Sequence, residues 1–252
     1  MRFASLGSGS RGNATLFEHE STCLLVDNGF SVAETCRRLA RLGRRPEELT
    51  AVLVTHEHSD HLRGVAALAR RYQLPVWMTA GTYRHCRDDI PAANIFNGHD
   101  AFEIGALQVR PYPVPHDARE PVQFVMTDGR HRCGLLTDVG SVTAHIESML
   151  SGCEALILEC NHEPSMLAAG SYPRSLKQRI AGRQGHLSNA QAAALLERLD
   201  CSHLQHLAAA HLSHDNNTPE HVRAALSAVL GCHGEWIAIC DQQNGLSWRA
   251  IS

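Results

Sequence analysis

Six consecutive residues, His56-Glu57-His58-Ser59-Asp60-His61, put three imidazoles and the Asp60 carboxylate, in the pattern H-x-H-x-D-H, directly behind the apolar run Ala51-Val52-Leu53-Val54. Packing has no use for such a density of ligand groups. Neutral imidazole is the commonest protein ligand for metals, and a nitrogen/oxygen donor set suits zinc, iron or manganese. In an extended segment leaving a strand, residues i and i+2 point to the same side, so His56 and His58 can share one ion. Asp60 and His61 come where the chain can bend and offer them to a second ion. Three more candidates stand at the ends of apolar runs, where α/β proteins carry their chemistry. His116 follows Leu107-Gln108-Val109-Arg110 through a Pro-rich turn, Asp138 ends Gly134-Leu135-Leu136-Thr137, and His211 ends Leu207-Ala208-Ala209-Ala210. Singly each reads as a turn or loop residue. Together they complete two sites, with three His for one metal, Asp-His-His for the other, and Asp138 as the bridging carboxylate.

The elements that must position these residues alternate in short β runs and helical stretches, an α/β pattern. Strands are expected near Phe3–Leu6, Ala14–Phe17, Cys23–Val26, Val76–Thr79, Ala155–Glu159, Leu204–Ala210, Glu235–Asp241 and Leu246–Ile251. Hairpins are expected over Gly105-Ala106 and Asp128-Gly129. Ser31-x-x-Glu34 and Ser188-x-x-Gln191 are capping boxes opening helices to about Leu42 and Leu199. Leu62–Tyr72 has apolar residues at helical spacing, a further helix lies near Val142–Leu150, and Thr218-Pro219 opens another, to about Leu230. There is no linker or low-complexity stretch, so residues 1–252 are expected to form one domain.

The run from Asp27, in Leu25-Val26-Asp27-Asn28-Gly29, through His56–His61, His116, Asp138 and His211 resembles the metallo-β-lactamase fold superfamily. Three further motifs resemble the YycJ/WalJ-type exonucleases within it. They are Leu6-Gly7-Ser8-Gly9-Ser10-Arg11-Gly12-Asn13, Gly185-His186-Leu187-Ser188-Asn189 and His211-Leu212-Ser213-His214-Asp215-Asn216-Asn217. The resemblance implies a four-layer αββα sandwich with the site at one edge of two sheets. It also implies two divalent ions, zinc, manganese or iron, and degradation of DNA from 5′ to 3′. Spacing argues against other branches. The 73 residues from Asp138 to His211 cannot hold the inserted domain of β-CASP nucleases, residues 139–161 contain no Lys or Arg for a tRNA-binding arm, and the 41 residues after His211 are too few for the helical domain of glyoxalase II.

Composition bounds the rest. With 44% hydrophobic residues the 252-residue chain can bury a substantial core, and no run approaches the length of a membrane span. The N-terminus has no long apolar segment of the kind a secretory signal carries. Nine scattered cysteines without a C-x-x-C pair read as reduced thiols, which points to the cytoplasm. A net charge of −3 is not that of a general nucleic-acid coat. Yet segment 171–186 holds Arg174, Lys177, Arg179 and Arg183 without an acid, a basic stripe that can follow a phosphate backbone or simply be a solvated helix face. Ser8 and Asn13 in the Gly-rich loop and Asn216 after His211 are candidate substrate contacts, with Arg174, Lys177 and Arg183. His186, before a capping Ser, is the candidate general acid and His162 the next, with Asp60 as the other catalytic residue.

A hydroxide held between two metals attacks phosphodiesters, thioesters and lactams alike. The expectation is therefore a binuclear phosphodiesterase acting on nucleic acid, DNA before RNA. A phosphodiesterase for small cyclic or nucleotide substrates and a non-catalytic di-metal sensor are the alternatives. Metal identity, strand polarity and oligomeric state stay open at this level.

Overall fold

The computed structural model describes residues 1–86, 90 and 93–252. The first half of the chain forms β1 (Arg2–Gly7), β2 (Ala14–His19), β3 (Thr22–Val26), β4 (Ala51–Leu53), β5 (Val76–Thr79) and β6 (Ala93–Phe96). The second half forms β7 (Phe102–Ile104), β8 (Leu107–Pro113), β9 (Val122–Thr127), β10 (Arg132–Leu136), β11 (Ala155–Glu159), β12 (His206–Ala210) and β13 (Ala238–Ile239), and β14 (Leu246–Ala250) returns to β1. Two seven-stranded sheets result, in the orders β14-β1-β2-β3-β4-β5-β6 and β13-β12-β11-β10-β9-β8-β7. Each is antiparallel on one side and parallel on the other. β3 to β6 run parallel in the first sheet, and β10 to β13 in the second.

Alternation along the strands explains the layers. In β3, Leu24 and Val26 face the second sheet while Cys23 and Leu25 face outward. In β11, Ala155 and Ile157 face inward while Leu156 and Leu158 face outward. Both faces of the central parallel strands are therefore apolar, as expected where helices cover a sheet. Leu39 of α1 (Val32–Arg41) and Val65, Leu68 and Ala69 of α3 (Val65–Tyr72) cover the first sheet; the four-residue α2 (Ser59–Leu62) lies between them in sequence. After α4 (Ala80–His85), the helices covering the second sheet are α5 (Ala144–Leu150), α8 (Asn189–Leu196) and α9 (Pro219–Leu230), through Ile146, Leu195 and Leu226 among others. Between them α6 (Pro164–Ala169) and α7 (Arg174–Ile180) behave differently: α6 buries only Leu167 and α7 buries nothing. The architecture is the αββα sandwich, with an arm of two short helices added.

Two expected elements come out differently. The helix expected over Leu62–Tyr72 is interrupted at Arg63-Gly64. The Gly64 N–H donates to Asn28 O at 2.8 Å, and a Cβ on Gly64 would meet Phe30 O, so this turn is pressed against the loop after β3. The strand expected over Glu235–Asp241 shrinks to Ala238–Ile239. Gly234–Trp236 is a 3-10 turn instead, and Asp241 pairs with Gly245 to reverse the chain. α4, β6 and α6 had no clear sequence signal.

Candidate metal and catalytic centre

The carboxyl ends of the parallel strands of both sheets meet at one edge of the sandwich. Asp27 follows β3 and His56 follows β4 in the first sheet. Asp138 follows β10, Glu159 ends β11 and His211 follows β12 in the second. Asp27, Asp138 and His211 take left-handed φ values of 60°, 52° and 55°. That region is unfavourable for most residues with a Cβ but tolerated best by Asn, Asp and His. Each residue thus leaves its strand in a sharp turn that aims its side chain along the edge.

Two clusters of ligand atoms form there. The first is His56, His58 and His116, and the second is Asp60, His61, Asp138 and His211. In the first, His56 Nε2 and His116 Nε2 lie 3.0 and 3.2 Å from His58 Nδ1. The other nitrogen of each flanking ring is already used. Thr55 Oγ1 donates to Asp27 and accepts from His56 Nδ1 at 2.9 Å, and His116 Nδ1 donates to Gly185 O at 3.1 Å. The free lone pairs therefore converge. Burial, with His61 nearby, holds His56 well below the ordinary histidine range, so it stands neutral as a ligand must.

In the second cluster, Asp138 Oδ2 lies 3.1 Å from His61 Nε2 and 3.3 Å from His211 Nδ1, and Asp60 Oδ2 lies 3.4 Å from His61 Nε2. His61 Nδ1 donates to Asp27 Oδ2 at 2.8 Å, which turns its Nε2 toward the carboxylates. Burial alone would lower the pKa of His61; Asp138, Asp27 and Asp60 outweigh it and raise it well above the usual range. The surroundings thus favour positive charge at that spot, which a divalent cation would supply in place of a second proton. Asp138 Oδ2 and His211 Nδ1 are buried without hydrogen-bond partners, as atoms awaiting a cation would be. Donor set, charge and orphaned atoms all fit divalent metal.

His186 and Glu159 stand beside these clusters. His186 Nδ1 donates to Glu159 Oε1 at 2.8 Å and lies 3.8 Å from Asp138 Oδ1. Burial lowers the pKa of His186, but Glu159 overcomes this and brings it to about 9. Geometrically Glu159 also groups with Asp138, His186 and His211 as a ligand set. Its oxygens are otherwise employed, however. Besides His186 they accept the N–H groups of Asp138 (3.1 Å), Val139 (3.1 Å) and Leu187 (3.0 Å). Glu159 is a clamp on two loops and one imidazole rather than a metal ligand. Sequence reading passed over it as a strand end, although a polar residue closing an apolar strand is the signal that singled out Asp138 and His211.

The proposed substrate contacts divide. A cavity of about 390 Å³ is lined by ligand residues with His186, Asp117, Arg179, Asn161, Tyr172 and Ser10 among others. Neither Ser8 nor Asn13 lines this cavity, and Ser8 borders a groove beside it. Ser8 Oγ accepts the His211 N–H (2.9 Å) and donates to Asn13 Oδ1 (3.0 Å), while Asn13 Nδ2 donates to Asp60 Oδ2 (3.1 Å). The Gly-rich loop thus ties ligand loops of the two sheets together. Gly29 lets both segments in, since a Cβ there would collide with Asp60 O and with Gly12 Cα of the loop. Asn216 is 1% exposed, with its Oδ1 beneath Gly170, and does not line the cavity. Of the basic residues on the arm, Arg179 reaches the cavity and pairs with Asp117 at 2.6 Å. Lys177 donates to Ala168 O, Arg183 lines an adjoining groove and Arg174 lines neither. His162 is 3% exposed and also outside the cavity wall.

A sandwich that gathers His and Asp side chains at its strand ends in this way is the framework of a metal-dependent hydrolase. Residues 22–211 match the beta-lactamase superfamily domain. Over 235 residues the chain is 35% identical to exodeoxyribonuclease YycJ of Bacillus anthracis, covering 91% of this chain and 89% of that protein. It is 33% identical over 226 residues to exodeoxyribonuclease WalJ of Streptococcus pneumoniae, covering 87% and 84%. The chain belongs to the metallo-β-lactamase superfamily and, within it, to the family of the YycJ and WalJ exodeoxyribonucleases. The metallo-beta-lactamase fold protein YhfI of Bacillus subtilis superposes with a TM-score of 0.76 at 18% identity, covering 99% of both chains. Human tRNase Z, short form, superposes with 0.67 at 14%, covering 100% of both; these two speak for the fold alone. Among the described residues no helix is long and apolar enough to cross a membrane.

Proposed function

We propose that this protein is an exonuclease that removes nucleotides from DNA in the 5′-to-3′ direction with two divalent ions, zinc or manganese. One would be held by His56, His58 and His116, the other by Asp60, His61 and His211, with Asp138 shared. The observation that carries a polymeric substrate is the continuity of the cleft. The catalytic cavity shares Asp117, Arg179 and Gly185 with a groove of about 650 Å³, which also carries Arg183. It shares Ser10, Tyr172 and Ser213 with another groove of about 410 Å³. A small phosphodiester would need neither extension. The nine free cysteines suit a reducing cytoplasm.

Bound there, the ions would supply Lewis acidity that activates water and offsets charge building on the phosphoryl oxygens. The chain's own groups account for the protons. Water attacks phosphorus and loses a proton, for which Asp60, on the cavity wall, is the positioned acceptor. The bond from phosphorus to the leaving sugar oxygen breaks, and that oxygen takes a proton from His186. Glu159 holds His186 by Nδ1, leaving Nε2 as the donor. Asp27 and Thr55 fix the tautomers of His61 and His56, and Asn13 steadies Asp60.

The test is degradation of end-labelled single- and double-stranded DNA and RNA by purified protein with Mn²⁺ or Zn²⁺. DNA labelled at the 5′ end should release label as the shortest product from the first turnover. Hydrolysis confined to small phosphodiesters, or ladders of internal cuts, would overturn the reading.

A further inference from the structure

Tyr172 has no part in either ligand cluster or in proton transfer, yet it lines both the catalytic cavity and the 410 Å³ groove beside it. Its hydroxyl donates to Asp215 Oδ2 at 2.9 Å, which anchors one edge of the ring. The residue is half-buried, and among the described residues no other aromatic ring packs on it. Pro173 follows and caps α7. A residue before proline is confined to extended backbone, so the ring is presented from a stiff point at the root of the arm.

The lining of this groove differs in chemistry from that of the groove on the other flank. It has an apolar side of Leu212, Pro219 and Ile239. It has two carboxylates, Asp215 and Asp241, against one guanidinium, Arg11. A phosphate would meet net negative charge there. A flat, uncharged ring would meet a tyrosine face and apolar contacts, while the two oxygens of Asp215 are held by Tyr172 and His214. The size is also within the range of small-molecule sites, roughly 300–1,000 Å³. The opposite groove offers Arg179 and Arg183 with Gln178, Ser141 and Thr143 against the single carboxylate of Asp117. That is a lining for a phosphate backbone.

We infer that the groove beside Tyr172 receives the base of the terminal nucleotide, stacked on the Tyr172 ring, while the rest of the strand leaves along Arg179 and Arg183. This rests on the nuclease reading above and adds a direction to it. The terminal residue lies toward β12 and the Gly-rich loop, and the polymer lies toward α7 and the Ser141–Thr143 turn. Stacking tolerates every base, since each has a π face, so the groove would grip the end without selecting sequence.

The experiment uses short single-stranded DNA oligomers of one sequence, with either an ordinary or an abasic residue at the end from which degradation proceeds. For the wild-type protein, removing that one base should raise KM roughly tenfold, the scale of one base–aromatic stack. Tyr172→Ala should raise KM on the ordinary oligomer by a similar factor, and Tyr172→Phe, which keeps the ring, should not. On the abasic oligomer the difference between wild type and Tyr172→Ala should collapse. A wild-type KM indifferent to the terminal base would overturn the inference without involving any variant. So would a Tyr172→Ala penalty that persists undiminished on the abasic oligomer, which would assign Tyr172 to holding the arm. Failure of wild-type protein to degrade any oligomer would bring down the nuclease reading itself, a result distinct from these.

Discussion

The first sheet delivers four candidate metal-ligating side chains on one continuous segment, His56 to His61. The second delivers its candidates singly, His116 after β8, Asp138 after β10 and His211 after β12, with the clamp Glu159 closing β11 between them. The segment after β4 can approach its geometry by local folding, because α2 brings Asp60 and His61 round in one turn from His58. Asp138, Glu159 and His211 meet only if three parallel strands align in register, Leu136 beside Leu158 and Glu159 beside Ala210. The two ligand clusters, each drawn from both sheets, also differ in charge. The histidine cluster contains no carboxylate, whereas the other surrounds His61 with Asp27, Asp60 and Asp138. The comparison teaches that Asp138 is the seam. It belongs to the second sheet, contacts the ring of His61 from the first, and lies 3.9 Å from His116 of the histidine cluster.

The largest effect should therefore come from that seam. Asp138→Asn, which tolerates the left-handed backbone, should reduce activity to background while thermal unfolding stays close to that of the wild type. Elemental analysis after chelation and reloading with Mn²⁺ or Zn²⁺ should give about two ions per chain for the wild type and fewer for the variant. An active Asp138→Asn enzyme, or a wild-type plateau at one ion, would break the two-cluster comparison.

Next come the groups outside both clusters. His186→Ala should lower kcat on DNA by about 10²–10⁴-fold with metal content unchanged, the usual weight of a positioned acid. An aryl phosphodiester, whose phenolate leaves without a proton, should lose much less. Glu159→Gln should move kcat in the same direction. Equal losses on both substrates would place His186 among the ligands and extend the second cluster.

Asp27→Asn sharpens the charge contrast. It should weaken metal affinity about 10–100-fold, the scale for partners that orient ligating histidines. Competition with a chelator should show the loss at one ion before the other. Loss of both ions together would mean the clusters are not separable.

The smallest effect belongs to the arm. Arg174, Lys177 and Arg183 changed together to Ala should weaken DNA binding several-fold. The salt slope should flatten by about one for each phosphate contact removed. Because Lys177 is tied to Ala168 O and Arg174 lies off the cleft, Arg183 should carry most of it; unchanged binding would leave the backbone path to Arg179.

By itself the sequence determined the candidate ligand groups and much of the framework that carries them. His56 to His61 crowd ligands into a span where periodicity alone sets which side chains agree in direction. Asp138 and His211, bland singly, stand out because they close apolar runs in a chain that already carries the His56–His61 segment. Capping signals at Ser31, Ser188 and Thr218 were readable for a similar reason: a helix start is settled by hydrogen bonds to residues three positions away. The tertiary structure alone decided what the other polar residues do. Asn13 and Asn216 have the composition of substrate contacts but line neither the cavity nor its grooves, and Ser8 borders only the groove beside Tyr172; the backbone of His211 and the carboxylate of Asp60, remote in sequence, claim hydrogen bonds of Ser8 and Asn13. Glu159 became the clamp on His186, and Arg179 rather than Arg174 reached the cleft. Those outcomes depend on which strand ends and loops meet at the edge of the sandwich, and no spacing along the chain encodes that.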